Sequence, residues 1–315
     1  MYFFLIDLPK TDKFIEEEFA NIIYSPRYKR KIISWFCGCM KVLKASSKND
    51  TIICWFDFQA VLCFWLCRIL FLKRKIIGIN LMLKDKPTLR NRVVSFLYKK
   101  ALTNSNFKAS VTSLAYGDWL NRKLGISVSY ELIHDVYHTR YEYHEEESAI
   151  TKSVFCGGRN GRDWAFLFKV AMIMPEVEFK VVMPKDIFRQ FKQLIPDNVN
   201  VRCNIPYREF LDEMCNSSLV CLPLDTEAPA GLIVMFQAAA NNKFVITTKT
   251  ATTKEYITEE RGAILSNDIE EWRKKILYYL VNTDEAANKA QLLHRFLKEE
   301  CDEGSFIQRV KELIQ

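Results

Sequence analysis

Two glycine-containing stretches in the second half of the chain combine residue types that bind phosphate. Residues 157–162 (GGRNGR) place two arginines among three glycines, and residues 229–233 (PAGLI) place a glycine before an apolar segment. Glycine allows a ligand to approach the backbone closely, and arginine neutralises phosphate charge. The amides of Gly231, Leu232 and Ile233 would be free at a helix start, where they favour an anion. Taken alone, residues 229–233 fit an ordinary tight turn with a helix cap equally well.

The elements around these stretches follow the order of a parallel α/β unit. Between residues 220 and 257, an apolar run, a turn-rich loop and an apolar helical segment are followed by a second strand and a polar turn. The pattern predicts a helix over Leu232–Ala240, a strand over Phe244–Thr248 and a further helix start at Thr252 and Thr253. Ligands of such units bind at the carboxyl ends of the strands. We therefore expect both threonines to add hydroxyl and amide donors to the phosphate site.

This segment resembles the donor-sugar site of the GT-B glycosyltransferases, in particular the retaining kind of family 4. The match consists of a helix that begins Gly231-Leu232, an Ala-rich turn after Gln237, the strand at 244–246 and the turn at 253–256. The usual pair of glutamates separated by seven residues is missing, because Gln237 stands in place of the second. Glu227 is the nearby carboxylate that could replace the first. Gln237 can still hydrogen-bond a ribose hydroxyl.

Residues 157–162 resemble the Gly-Arg loop that opens the donor domain of the same enzymes. Their usual lysine is replaced here by Arg162 or lost to Asp163. The resemblance implies an α/β protein with two Rossmann-like domains facing across a cleft, and a nucleotide-sugar donor, with a UDP-sugar as the first expectation. It also implies a retained anomeric configuration. The nucleobase would lie near Asn204 and Pro206, at the end of a predicted strand, and the ribose near Gln237.

Departure of the nucleoside diphosphate builds negative charge, which arginines and helix amides can stabilise without a nucleophile. Loss of Arg159 is therefore expected to slow transfer by roughly 100-fold or more. No cofactor and no metal ion is expected, because guanidiniums and helix ends can do the work of a divalent cation and the chain has no Asp-x-Asp pair. Nor do the ten cysteines match a zinc-ligand spacing.

Length and composition predict two domains in a reducing compartment. The chain has 315 residues, which fits an acceptor-binding domain over 1–145 and a donor-binding domain over 150–315. The acidic stretch at 140–148 reads as the linker, and in this fold the last helix crosses back over the first domain. Free cysteines in apolar runs and charged residues near the start, in place of a signal peptide, indicate the cytoplasm.

Charge is distributed unevenly between the two halves. Residues 1–150 contain 23 Lys and Arg against 15 Asp and Glu, whereas residues 151–315 contain 22 against 23. Basic residues stand beside large apolar side chains at 27–36, and an amphipathic basic helix is predicted at 89–101. Both patterns are typical of a contact with an anionic membrane, although 27–36 also fits a solvated helix end. The apolar stretch at 58–72 is too interrupted to cross a bilayer.

The acceptor is harder to read from the residues. His134 and Asp135 follow a predicted strand, and Asp57 follows another, although a lone histidine in such a place is more often structural.

The favoured function is transfer of a sugar to a lipid-linked or oligosaccharide acceptor in surface polysaccharide assembly, by a peripheral protein at the inner face of the plasma membrane. Two alternatives remain. One is a catalytically inactive GT-B domain that acts as a partner subunit, and the other is a basic nucleic-acid-binding protein. The chain contains no recognisable nucleic-acid module, so no nucleic-acid partner is expected.

The candidate catalytic residues are Arg159, Arg162, Glu227 and His134, and the candidate donor-binding residues are Gly157, Gly158, Asn204, Pro206, Pro229, Ala230, Gly231, Leu232, Ile233, Gln237 and Thr253.

Overall fold

The computed structural model of the chain describes residues 1–7, 13–83, 88–143 and 151–315. These residues divide into two compact units, one made of Met1–Val136 with Glu303–Gln315 and the other of Tyr137–Asp302. The division follows Val136, ahead of the acidic stretch expected to be the linker. Residues 144–150 of that stretch lie outside the described residues.

The first unit is built on a six-stranded parallel sheet in the order β2-β1-β3-β4-β5-β6. Its strands are β1 (Tyr2–Ile6), β2 (Ile22–Tyr24), β3 (Thr51–Cys54), β4 (Lys75–Gly78), β5 (Phe107–Val111) and β6 (Glu131–Leu132), and its helices before the second unit are α1 (Lys13–Glu18), α2 (Lys31–Ala45), α3 (Asp57–Ile69), α4 (Leu89–Leu102) and α5 (Leu114–Leu124). Strands alternate with helices because each parallel connection needs a crossover that covers the sheet.

The second unit has a six-stranded parallel sheet in the order β12-β11-β10-β7-β8-β9. Its strands are β7 (Thr151–Gly157), β8 (Glu178–Met183), β9 (Val199–Cys203), β10 (Ser217–Leu222), β11 (Phe244–Thr248) and β12 (Ala263–Leu265), and its helices are α6 (Trp164–Met172), α7 (Lys185–Phe191), α8 (Tyr207–Cys215), α9 (Leu232–Ala240), α10 (Thr253–Tyr256), α11 (Ile269–Val281) and α12 (Thr283–Glu300). Strand order reverses between β7 and β10, which is the doubly wound arrangement.

Helices cover both faces of the second sheet, so its inner strands β10 and β11 are buried along almost their whole length rather than on alternate residues. Val154 and Cys156 of β7 face one buried cluster, which also contains Trp272 of α11. Phe155, between them, faces a second cluster with Leu293 of α12. Successive side chains of a strand point to opposite faces, so β7 supports two cores and fixes the position of the loop that follows it.

The chain returns to the first unit in its last helix, α13 (Glu303–Ile314). Phe306, Ile307, Val310 and Leu313 are buried there in the core that contains Phe4 and Ile53 of the first sheet. Their spacing places them on one face of a helix.

The predicted helix over Leu232–Ala240 and the predicted strand over Phe244–Thr248 are both confirmed. The expected helix start at Thr252 and Thr253 is confirmed as the short helix α10, which has Thr252 at its N-cap position. The apolar stretch at 58–72 contributes most of α3. Among the described residues, no helix combines the length and apolar character needed to span a bilayer.

Candidate functional site

The point where the second sheet reverses its strand order lies between β7 and β10. In open α/β sheets, ligands bind at such a point, outside the carboxyl ends of the strands. The loop after β7 is the stretch that contains Gly157 to Arg162, and the loop after β10 leads through Pro229 and Ala230 to α9. Both predicted phosphate-binding stretches therefore follow the two strands that flank the switch point.

The two loops are in direct contact. The amide of Asp225 donates to the carbonyl oxygen of Gly161 at 3.1 Å, and Arg162 and Leu224 form an isolated antiparallel bridge. Gly161 has a φ of +66°, and a Cβ atom at this position would lie 2.7 Å from the Cβ of Ala230. Glycine is required here both by the left-handed backbone and by the close approach of the second loop.

Arg162 lies between the loops and is 6% exposed. Its Nε donates to the carbonyl oxygen of Gly157 at 2.9 Å. A Cβ atom at Gly158 would lie 2.8 Å from its Nη2, and one at Gly231 would lie 2.9 Å from its Nη1. The guanidinium therefore occupies the space that these two glycines leave open, against the first turn of α9.

The charge of Arg162 is not balanced by a neighbouring side chain. Among the described residues, no carboxylate forms an ion pair with it. Burial raises the pKa of the neighbouring Cys156 thiol to about 12, so this group stays neutral. Burial also lowers the pKa of Arg162, but a guanidinium remains charged in proteins. A buried charge without a counter-ion is costly, and an anionic ligand would offset that cost.

The N-terminus of α9 offers donors at the same place. Gly231 has φ +80° and no side chain caps the helix among the described residues. The first intrahelical bond runs from the amide of Met235 to the carbonyl oxygen of Gly231, at 2.9 Å. The amides of Leu232 and Ile233 therefore precede the intrahelical ladder and add a partial positive charge beside Arg162. Together with the guanidinium, they create a positive potential that favours an anion at this place.

Arg159 is placed differently from Arg162. Its guanidinium is 66% exposed and lies 3.5 Å from the carboxylate of Asp186 on α7. An exposed pair of this kind contributes at most about 1 kcal/mol, so it constrains the side chain weakly. The loop therefore carries one fixed, buried guanidinium and one exposed guanidinium with an ion-pair partner.

Thr253 does not supply the free donors expected of it. Its Oγ1 donates to the carbonyl oxygen of Thr248 at 2.6 Å, and its amide donates to Oγ1 of Thr250 at 3.0 Å. The side chain is fully buried. The amide and the hydroxyl of Thr253 are both engaged within the turn at 248–253, because threonine hydroxyls readily hydrogen-bond nearby backbone atoms.

Glu227 connects the loop after β10 to this same turn. Its Oε2 accepts from the amide of Ala251 at 2.6 Å, and its carbonyl oxygen accepts from Oγ1 of Thr252 at 2.9 Å. These bonds hold two loops of the site together and occupy one carboxylate oxygen. The structure thus shows a positioning contact for Glu227, which had been singled out as a catalytic candidate.

The predicted nucleoside region lies at the carboxyl end of β9. Asn204 is exposed, has φ +51°, and accepts from the amide of Lys185 at 3.3 Å. Pro206 immediately precedes α8, whose first residue is Tyr207. Gln237 is 5% exposed and its Nε2 donates to the hydroxyl of Tyr207 at 3.1 Å. Sequence reasoning missed Tyr207, and an aromatic residue directly after the proline was the available signal.

His134 belongs to the first unit and is half-buried, two residues after β6. At the same carboxyl edge of this sheet, Asp57 is buried and fully bonded. One carboxylate oxygen accepts from the amide of Phe58 at 2.7 Å. The other accepts from the amide of Met82 at 2.8 Å and from the hydroxyl of Tyr98 at 2.7 Å. Burial raises the pKa of Asp57, and these bonds partly oppose it. Asp57 therefore fixes the loops of its own sheet.

Within the described parts of the chain, no group of three or more His, Cys, Asp or Glu side chains is arranged to hold a metal ion. The site of the second unit consists instead of a guanidinium, helix amides and glycine-lined backbone.

Comparison with known proteins places this geometry in context. Residues 160–315 match the model of the family described as glycosyl transferase-like. The fold is similar to that of Anabaena HepE solved in complex with UDP and glucose, with a TM-score of 0.71 and 14% identity over 99% of this chain and 98% of that one. A comparison with curated protein sequences found no match.

Two further solved structures have a similar fold. Sucrose-phosphate synthase from Thermosynechococcus elongatus matches with a TM-score of 0.72 and 15% identity, over 98% of this chain and 79% of that one. WaaG, a glycosyltransferase involved in lipopolysaccharide biosynthesis, matches with a TM-score of 0.69 and 11% identity over the whole of both chains.

Proposed function

We propose that this chain, a glycosyltransferase of the GT-B fold, transfers a sugar from a nucleotide-sugar donor to a glycan acceptor. Its residues 160–315 match the glycosyl transferase-like family. The observation that carries the proposal is the buried guanidinium of Arg162, which has no ion-pair partner among the described residues and lies against the first turn of α9. A diphosphate supplies the negative charge that this arrangement lacks. UDP is the first choice of nucleotide, since HepE was solved with UDP and with UDP-glucose.

The proposed chemistry is electrostatic. As the bond between the sugar and the diphosphate breaks, negative charge accumulates on the leaving phosphate oxygen. Arg162 and the α9 amides are already oriented towards that place, so they stabilise the transition state without reorganising. Arg159 would leave Asp186 and close on the same diphosphate. Retention of the anomeric configuration and independence of a metal ion belong to this proposal. Transfer that persists in EDTA with the product in the donor's configuration would support both points.

Nucleoside diphosphates and nucleotide sugars should therefore protect the protein against thermal unfolding. At a ligand concentration about 100 times the dissociation constant, binding adds about 2.7 kcal/mol to the free energy of unfolding. For units of this size we expect the unfolding temperature to rise by roughly 5–10 °C. The measurement is a thermal-shift panel of UDP-, GDP-, dTDP- and CMP-sugars. Failure of all four classes to shift the transition would contradict the proposal.

We further propose that the acceptor is lipid-linked and that the first unit contacts an anionic membrane at the inner face of the plasma membrane. Leu89, Val93 and Phe96 of α4 are 79%, 54% and 54% exposed. Their spacing puts them on one helix face. Arg92 is exposed beside them, and the ammonium of Lys100 lies 5.8 Å from the ring centroid of Phe96. An exposed apolar stripe flanked by cations is the composition of a membrane-surface helix.

A similar composition occurs at the start of α2, where Ile32, Ile33 and Phe36 are 58%, 43% and 46% exposed. Arg30 and Lys31 stand next to them in the chain. In surface polysaccharide assembly, the pathway class proposed here, a peripheral contact would keep the enzyme at the surface that carries its acceptor. WaaG, which shares the fold, is involved in lipopolysaccharide biosynthesis.

Replacement of Val93 and Phe96 together by glutamate is expected to lower binding to vesicles that contain phosphatidylglycerol by roughly tenfold or more, because it removes apolar contact and adds repulsion. Vesicle flotation measures the effect. Val281→Glu is the matched control, since Val281 is 76% exposed on α11 of the second unit. Equal loss in both variants, or binding to phosphatidylcholine vesicles that matches the anionic ones, would argue against a specific membrane face.

A further inference from the structure

The hydrogen bond between Tyr207 and Gln237 is a feature of the site that the diphosphate contacts do not use. Gln237 is 5% exposed on α9, and its Nε2 donor is engaged by the hydroxyl of Tyr207. Tyr207 is 51% exposed, and its hydroxyl accepts from Nε2 of Gln237 at 3.1 Å. The buried amide thus holds the hydroxyl of a side chain whose ring remains open to solvent.

The position of this pair relates it to the diphosphate site. Gln237 follows Gly231 by six residues, which is about 9 Å of helix rise along α9. Tyr207 begins α8, and one turn later Phe210 packs edge-on against Phe155 of β7, with ring centroids 5.2 Å apart. A Cβ atom at Gly157 would lie 2.5 Å from the ring of Phe210. The first turn of α8 is therefore fixed beside the end of β7, where the loop of residues 158–162 begins.

The hydroxyl of Tyr207 retains hydrogen-bonding capacity. A phenol has one donor and two acceptor lone pairs, and Gln237 uses one lone pair. One donor and one acceptor remain, which is the combination that complements a ribose hydroxyl. Burial raises the pKa of Tyr207, so the phenol keeps its proton near neutral pH. The amide at position 237 determines the direction of this hydrogen bond. Its Nε2 donates to the hydroxyl of Tyr207, whereas a carboxylate at the same position could only accept from it.

We propose that Tyr207 binds the ribose hydroxyls of the nucleotide and that Gln237 is a positioning residue which holds the Tyr207 hydroxyl in place. The inference rests on the proposed donor site and specifies how that site recognises the nucleoside. The ribose contact, which the sequence predicts for Gln237, is thereby assigned to Tyr207 on a different helix. The ring of Tyr207 also offers an apolar surface to the nucleoside, but the hydroxyl is the group that distinguishes ribose from its deoxy forms.

Tyr207→Phe is expected to weaken UDP binding about fivefold, the effect of one lost hydrogen bond, without changing the affinity for 2′,3′-dideoxy-UDP. Isothermal titration calorimetry with these two ligands measures both affinities. Gln237→Leu should weaken UDP binding by a smaller factor. The double variant should be no weaker than Tyr207→Phe alone, because both substitutions act through the same hydroxyl. A purely structural role for the pair would not produce this selectivity.

Tyr278→Phe serves as the control, because Tyr278 is 46% exposed on α11 and its hydroxyl donates to Glu285 at 2.7 Å. It should change neither affinity. If Tyr207→Phe affects UDP and its dideoxy analogue equally, or affects neither, the inference is overturned while the donor site stands. If the wild-type protein does not bind UDP at all, the inference and the proposed UDP donor are overturned together.

Discussion

Replacing Arg162 with methionine is expected to slow sugar transfer by about 100-fold to 1,000-fold, the loss that follows removal of one preorganised donor from a developing anion. The guanidinium is buried against Gly231 and has no carboxylate partner among the described residues. In the proposed donor site, its charge would therefore act on a ligand rather than in an internal ion pair. The measurement is kcat/KM for transfer from a UDP-sugar.

The same substitution should change stability much less than activity. Methionine removes the desolvation cost of a buried charge, but it leaves the carbonyl oxygen of Gly157 without the Nε donor of Arg162. These effects oppose each other, so we expect the free energy of unfolding to change by no more than about 2 kcal/mol. A variant that unfolds would instead assign Arg162 a mainly structural role.

Arg159→Ala is the matched comparison in the same loop. The sequence suggested a loss of roughly 100-fold or more for this residue. In the structure its guanidinium is 66% exposed and paired with Asp186, so it must exchange one partner for another in water. We expect a loss of about tenfold, the value of one charge-assisted hydrogen bond. A larger loss than that of Arg162→Met would show that the diphosphate lies on the outer side of the loop.

Substituting alanine for Gly231 is expected to reduce transfer by about 100-fold, because it displaces the same guanidinium. The backbone at Gly231 has φ +80°, which costs an L-residue about 1–2 kcal/mol. The added Cβ atom would also lie 2.9 Å from Nη1 of Arg162, closer than nonbonded atoms of these types approach without a shift. The guanidinium has little room to move, since its Nε is bonded to Gly157.

Gly125→Ala separates backbone strain from the effect on the site. Gly125 ends α5 in the first unit with φ +60°, and a Cβ there meets only the flexible ammonium of Lys99, at 3.6 Å. Both variants should lose similar stability by thermal unfolding, but Gly125→Ala should retain its transfer rate. Equal rates in the two variants would mean that the contact between Gly231 and Arg162 has no part in donor binding.

Several elements were accessible from the sequence because local patterns decide them. The apolar run of Leu232–Ala240 with a glycine before it predicts a buried helix and its start, and both are observed. The alternation of strands and helices predicts two parallel α/β sheets, which is also observed. Residues 157–162 are predicted to bind phosphate because glycine and arginine have few other reasons to occur together between a strand and a helix, and residues 229–233 because a glycine precedes a helix start.

Other features depend on contacts between distant residues. Thr253 looked like a free donor, but its partners are carbonyl and hydroxyl groups of the turn at 248–253, whose shape the sequence does not show. Glu227 is predicted to be a catalytic carboxylate, and the structure adds that one of its oxygens accepts from the amide of Ala251, 24 residues later. The hydrogen bond between Tyr207 and Gln237 is not visible in the sequence, because the two residues are 30 positions apart and lie on different helices.

By itself the sequence determined the α/β class, the two parallel sheets and the stretches that are predicted to bind phosphate. These depend on periodicity and on the conformational properties of single residue types, which act locally along the chain. Only the tertiary structure decided which of two neighbouring arginines is buried. With positive φ angles at Gly158 and Gly161, the loop places Arg162, buried, against the first turn of α9 and leaves Arg159 exposed to solvent. Burial of a charge depends on what packs around it, and the groups around Arg162 come from β7, from the loop after β10 and from α9.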